Sequence, residues 1–216
     1  SQGKFKQARR VCENMLVRRS AVFDTFVHLA DIGNALDDLP RTENALRMAL
    51  SLKPQHPRSL VRLGIAISRQ QRFDEAREQF RLALKVRPRY VYALDSLGVC
   101  AAEQSRIAED PAARRKGLRE AVRHFKDALA VNADYAPAMR NLGAAYLDLG
   151  RADDAIEQLR GALRLQPHDA DLHANLAVAL DVKSDLNQAM THLRKALEIR
   201  PMFTAARQHL NRIEEK

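Results

Sequence analysis

Alanine returns at a fixed beat along this chain: Ala8, Ala76, Ala121, Ala155 and Ala189, with Thr42 on the beat where alanine is missing. The interval is 34 residues, except between Ala76 and Ala121, where it is 45, one period plus 11. Self-similarity of this length specifies a stack of small supersecondary units. No unit buries its apolar face alone, so each is stabilised by its neighbours. Such a chain builds a linear array rather than a globule wrapped around one cleft.

The rest of the unit repeats in phase. Leu63-Gly64 recurs as Leu97-Gly98, Leu142-Gly143 and Leu176-Ala177, with Leu29-Ala30 as its earliest version. A large residue precedes that leucine by three at Phe26, Leu60, Leu94 and Met139, His173 being the exception. After the beat come Cys12, Leu46, Phe80, Phe125, Leu159 and Leu193, then Met15, Ala49, Ala83, Ala128, Ala162 and Ala196. Pro54, Pro88, Pro167 and Pro201 close the units, with Ala133 in place of proline once. Apolar residues at i, i+3, i+4 and i+7 line the inner face of a helix. The small residues mark where two backbones approach closely. Proline cannot extend a helix and sits after each second one, and Gly150 ends a first helix.

This pattern resembles the tetratricopeptide repeat, a 34-residue helix–turn–helix family, over nearly the whole chain. Leu142, Gly143, Tyr146, Gly150, Ala155, Leu159, Ala162 and Pro167 stand at the family's signature sites. The resemblance implies an all-α, right-handed superhelical solenoid of antiparallel helix pairs. A single array over 1–216 is expected: a partial unit at 1–22 supplying a second helix only, full units at 23–56, 57–90, 91–135, 136–169 and 170–203, and a terminal helix at 204–216. That last helix carries Asn211, Arg212, Glu214, Glu215 and Lys216 as a polar cap. The partial unit reads either as a chain cut from a longer repeat protein or as a natural N-terminal cap.

The 11-residue insertion falls within the stretch near 105–116. Asp110-Pro111 is an N-cap followed by proline at the first helical position. The second helix of this unit should therefore start near 111 and run to about Val131 through Gly117. Its extra turns carry Arg114, Arg115, Lys116 and Arg119, either a docking prong or a tolerated extension.

The net charge of +9 is uneven: residues 1–19 contribute +5, through Arg18 and Arg19 among others, and residues 57–90 contribute +6. No aromatic interleaves with those arginines as a base-stacking surface requires, so nucleic acid is an unfavoured partner. No apolar stretch approaches the length that spans a bilayer. Cys12 and Cys100 are 88 residues apart, too far to bridge in an array, and both occupy apolar positions expected to be buried. Arginine outnumbers lysine 27 to 9, which hints at a bacterial source. The sequence assigns no compartment; a cytoplasmic and a periplasmic setting are both compatible with it.

Nothing in the motifs points to catalysis. The seven histidines form no HExxH or Cys/His ligand pattern. No phosphate-cradling glycine loop and no nucleophile with an evident base is present. The expectation is a chain with no enzyme activity, no cofactor and no metal.

Binding is expected on the first helices, which line a concave groove in the family resembled here. The sixth position of each unit holds His28, Arg62, Ser96, Asn141 and Asn175, and the terminal helix adds His209. All can donate hydrogen bonds. Asn141 and Asn175 resemble the asparagine ladder that holds extended peptide backbone in O-linked N-acetylglucosamine transferases. Arg58 and Tyr92 at the second position, Val61 and Arg140 at the fifth, and Ile65 and Val99 at the ninth flank this ladder. The mixture suits a short amphipathic or extended peptide. The carboxylate clamp of chaperone-binding members is incomplete: its frame gives Arg140 and Ala144, then Asn175, then Ala205 and His209. The expected role is a protein-interaction scaffold taking a peptide or helical segment. The alternatives are the substrate-selecting arm of a larger enzyme (glycosyl- or sulfotransferase type) and a homo-oligomer stacked end to end.

Overall fold

The computed structural model describes residues 2–17 and 23–215. Arg18, Arg19 and Lys216 lie outside the described residues, as do the side chains of Ala8 and Met15. The described residues form twelve α-helices and no strand: α1 (Gln2–Val17), α2 (Phe23–Ala35), α3 (Leu39–Leu52), α4 (Pro57–Ser68), α5 (Phe73–Val86), α6 (Val91–Ile107), α7 (Pro111–Val131), α8 (Ala136–Asp148), α9 (Ala152–Leu165), α10 (Ala170–Val182), α11 (Leu186–Ile199) and α12 (Thr204–Glu214). Two compact units divide the chain, one up to Cys100 and one from Ala101 onward, the division falling within α6.

The hairpins α2–α3, α4–α5, α8–α9 and α10–α11 share one turn. Its hinge residue adopts left-handed backbone: Asp37 (φ 58°), Gln71 (φ 62°), Gly150 (φ 74°) and Ser184 (φ 62°). The next N–H reaches back five residues in every case, Asp38 to Gly33 (2.8 Å), Arg72 to Ile67 (3.3 Å), Arg151 to Tyr146 (2.8 Å) and Asp185 to Leu180 (2.9 Å). These bonds satisfy carbonyls that a helix end leaves orphaned. Only one of the four hinges is the glycine that left-handed backbone favours.

The equivalent residue in the interrupted repeat is Ser105, and there the chain does not turn. α6 runs on to Ile107 for 17 residues, and α7 starts at Pro111 and lasts 21. Asp110 caps α7, accepting from Ala112 N (3.1 Å) and Ala113 N (3.0 Å). The insertion thus lengthens both helices, not the second alone, because losing the left-handed hinge lets α6 continue.

The alanine beat is the packing seam. Ala76, Ala121, Ala155 and Ala189 are fully buried, and Thr42 nearly so. Thr42 fits because Gly33 faces it. A Cβ on Gly33 would meet the Thr42 Oγ1 at 2.6 Å, a hydroxyl that donates to Asp38 O at 2.9 Å. In the first unit Leu46, Leu63, Ile67 and Phe80 fill the core; in the second, Phe125, Leu142, Leu159, Leu172, Leu176 and Leu193 do so. Cys100 is buried, with its thiol directed at Phe73 O (3.6 Å). Cys12 is only half-buried, contrary to expectation.

Candidate functional site

In the first unit, Arg58, Val61, Arg62 and Ile65 share one stripe of α4 at i, i+3, i+4 and i+7. They line a cavity of about 550 Å³ together with Arg87, Tyr90 and Tyr92. Val61 forms part of its buried floor, while Ile65 and Tyr92 are exposed, Tyr92 to 52%. Tyr90 sits immediately before α6, and its carbonyl accepts from Ala93 N (3.0 Å) and Leu94 N (3.2 Å), which fixes the start of that helix. Its ring meets Tyr92 edge to face at 5.4 Å, and the Arg87 guanidinium lies 5.2 Å from it. Burial and the neighbouring Tyr92 push the Tyr90 phenol above its usual pKa, against the pull of Arg58 and Arg87, so it stays a neutral hydroxyl. Arg62 forms an ion pair with Asp31 on α2.

Arg58, Val61, Arg62, Ile65 and Tyr92 are groove positions of the repeat register, whereas Arg87 and Tyr90 are not. Both lie between helices, outside the first-helix positions that the repeat register ranks. The available signal was their proximity in sequence, a basic and aromatic run from Arg87 to Tyr92. Tyr90 and Tyr92 stand beside these arginines, but edge to face at 65° and not as a parallel base-stacking pair. The chain turn between α5 and α6 folds Tyr90 and Tyr92 back beside Arg58, far from it in sequence.

Not every expected groove residue faces outward. His28 is exposed on α2, and Val99 is half-buried on α6. Ser96 is buried at 8% exposure, so its short hydroxymethyl group does not reach a groove surface, and the polar ladder is broken there.

In the second unit Asn141 on α8 and Asn175 on α10 are both half-buried. Arg140 lies 3.9 Å from Asp169, the N-cap of α10. Arg200 makes two bonds to Asp171 (3.0 and 2.7 Å), and these hold the Asp171 carboxyl below its ordinary pKa range. His209 Nε2 donates to Asp181 at 2.8 Å, with Arg212 at 3.5 Å from the same oxygen. Arg62 and His209 are therefore both occupied by carboxylates of the preceding first helix. Periodicity finds the position of each but not its partner, because these contacts span 31 and 28 residues rather than one period.

No group of three or more His, Cys, Asp and Glu among the described residues is placed to hold a metal ion. No described helix is long and apolar enough to cross a membrane.

A tetratricopeptide repeat model matches residues 61–119, 112–165 and 141–201. Together these segments span well over half of the sequence, and the chain belongs to the tetratricopeptide repeat family. It is 31% identical over 112 residues to the anaphase-promoting complex subunit cut9 of Schizosaccharomyces pombe, a match covering 49% of this chain and 17% of that protein. The chain thus matches less than a fifth of that relative's length. TTC0263, a thermophilic TPR protein of Thermus thermophilus, superposes with a TM-score of 0.77 at 26% identity, over 90% of this chain and 100% of its own. A chain of the APC/C Cut9–Hcn1 hetero-tetramer gives 0.79 at 23% identity, over 98% of this chain and 40% of its own. YrrB, a TPR protein with an unusual peptide-binding site, gives 0.59 at 18% identity, over 92% and 96%.

Proposed function

We propose that this chain is a protein-interaction scaffold that takes an extended or helical segment of a partner on its first-helix faces. One observation carries the reading: on α4 and the start of α6, Ile65 and Tyr92 are exposed beside Arg58 at the mouth of a cavity. Exposed apolar and aromatic groups next to guanidinium donors are what a peptide side chain and backbone require. The half-buried amides of Asn141 and Asn175 add groups that both donate and accept, as peptide backbone demands. The family supports the reading, since Cut9 assembles with Hcn1 and YrrB has a peptide-binding site.

The test is a peptide-array screen with the wild-type chain and the triple variant Tyr92→Ala, Asn141→Ala, Asn175→Ala, checked for unchanged helicity by circular dichroism. Peptides selected by the wild type should lose about tenfold or more in affinity for the variant. Unchanged affinities would exclude the first-helix faces as the binding surface.

A further inference from the structure

The arginine–tyrosine cavity of the first unit is more selective than a general groove. Arg58, Arg62 and Arg87 all border it, and every group lining it is cationic, aromatic or aliphatic; none carries a carboxylate. Arg62 already presents its guanidinium to a carboxylate, that of Asp31, which comes from α2 outside the cavity lining. The surrounding segment 57–90 holds nine Arg and Lys against three Asp and Glu, so nearby charge reinforces the bias. Tyr90 adds a neutral hydroxyl, and Ile65 and Tyr92 add the exposed apolar border.

From this arrangement, and resting on the scaffold reading above, we infer that the cavity is a specificity subsite for an acidic side chain of the partner. Its preferred occupant is an extended peptide in which Glu or Asp carboxylates flank one apolar residue. Guanidinium forks pair with carboxylates through two parallel bonds, and a ring-lined concavity strengthens them by excluding water. The apolar neighbour rests on Ile65 and Tyr92. A nucleic-acid base fits less well. Tyr90 is buried and meets Tyr92 at an interplanar angle of 65°, so the pair offers no parallel slot for stacking. Asp31 is then a competitor for Arg62, and its removal should improve binding.

The experiment uses the whole chain with a fluorescein-labelled Gly-Ser-Glu-Leu-Glu-Ser-Gly peptide, its Gln-for-Glu counterpart and poly(U) as probes. Binding is read by anisotropy and by shifts of the backbone amide, arginine Nε–H and Tyr92 resonances. The acidic peptide should bind at least about tenfold more tightly than the Gln version. Its affinity should fall by a similar factor in Arg58→Ala and Arg87→Ala, both solvent-exposed sites, and rise in Asp31→Asn. Equal affinity for the two peptides, no binding, tighter binding of poly(U), or insensitivity to Arg58→Ala and Arg87→Ala would overturn the inference. Shifts confined to α8 and α10 would do so while leaving the scaffold reading intact. Loss of the scaffold reading itself is read separately, by the array screen with the triple variant.

Discussion

Replacing Gly143 by alanine should destabilise the second unit, and the same change should stabilise it once Leu159 has been shortened. A Cβ on Gly143 would fall 2.7 Å from Leu159 Cγ and 3.0 Å from Cδ2, while Leu159 is fully buried and cannot swing into solvent. Forcing a methyl into such a core costs about 1–3 kcal/mol. Alanine in a helix interior offsets about 1 kcal/mol of that relative to glycine. The net expectation for Gly143→Ala is a loss of about 1 kcal/mol. Leu159→Ala alone leaves a cavity and costs about 2–5 kcal/mol. In that background the obstructing atoms are gone, so Gly143→Ala keeps only its helical advantage, about 1 kcal/mol. The sign reverses, and the cycle gives a coupling of about 1–3 kcal/mol. Urea unfolding followed by circular dichroism measures the four variants, with hydrogen exchange of the α8 and α9 amides reporting the hairpin separately. If Gly143→Ala shifts the urea midpoint equally in both backgrounds, close approach of α8 and α9 is not what the glycine serves.

Gly150 provides the contrast. Nothing lies within 4 Å of a Cβ placed there, yet its φ is 74°, so Gly150→Ala should cost about 1 kcal/mol through backbone strain alone, and Leu159→Ala should leave that cost unchanged in the same unfolding assay. His173 and His192 predict a pH response in the α10–α11 hairpin. Pro167 O can only accept, so His173 Nε2 donates to it (3.1 Å) and His173 Nδ1 accepts from His192 Nδ1 (2.8 Å). Burial, then the neighbouring His173 and Arg160, lower the His192 pKa from its ordinary 6.5, so the unfolded chain takes the proton first as pH falls. Stability should be complete above about pH 6.5 and decline below it by at most about 1.4 kcal/mol per pH unit from this group. Thermal melts across that range should show His192→Gln with a shallower decline; an identical slope would remove the histidine pair from the explanation.

The features legible from sequence are those that recur with the period, because a position that must be small or apolar in every unit leaves its mark several times. The buried alanines Ala76, Ala121, Ala155 and Ala189 announced the seam, and Asp110-Pro111 announced the start of α7. What escaped is aperiodic or compensated. Thr42 looked like a lapse in the pattern, yet Gly33 gives up the volume that the threonine takes, and a pair chosen for its sum leaves no signal at either site alone. The left-handed hinge was recognised only at Gly150, since Asp37, Gln71 and Ser184 adopt the same backbone without the residue that advertises it. At the candidate site the register fixed which side chains of α4 share a stripe. It was silent on Arg87 and Tyr90, which lie outside helices, and on the carboxylates that occupy Arg62 and His209. Packing inside a repeat is enforced identically in each copy, whereas recognition depends on departures from identity.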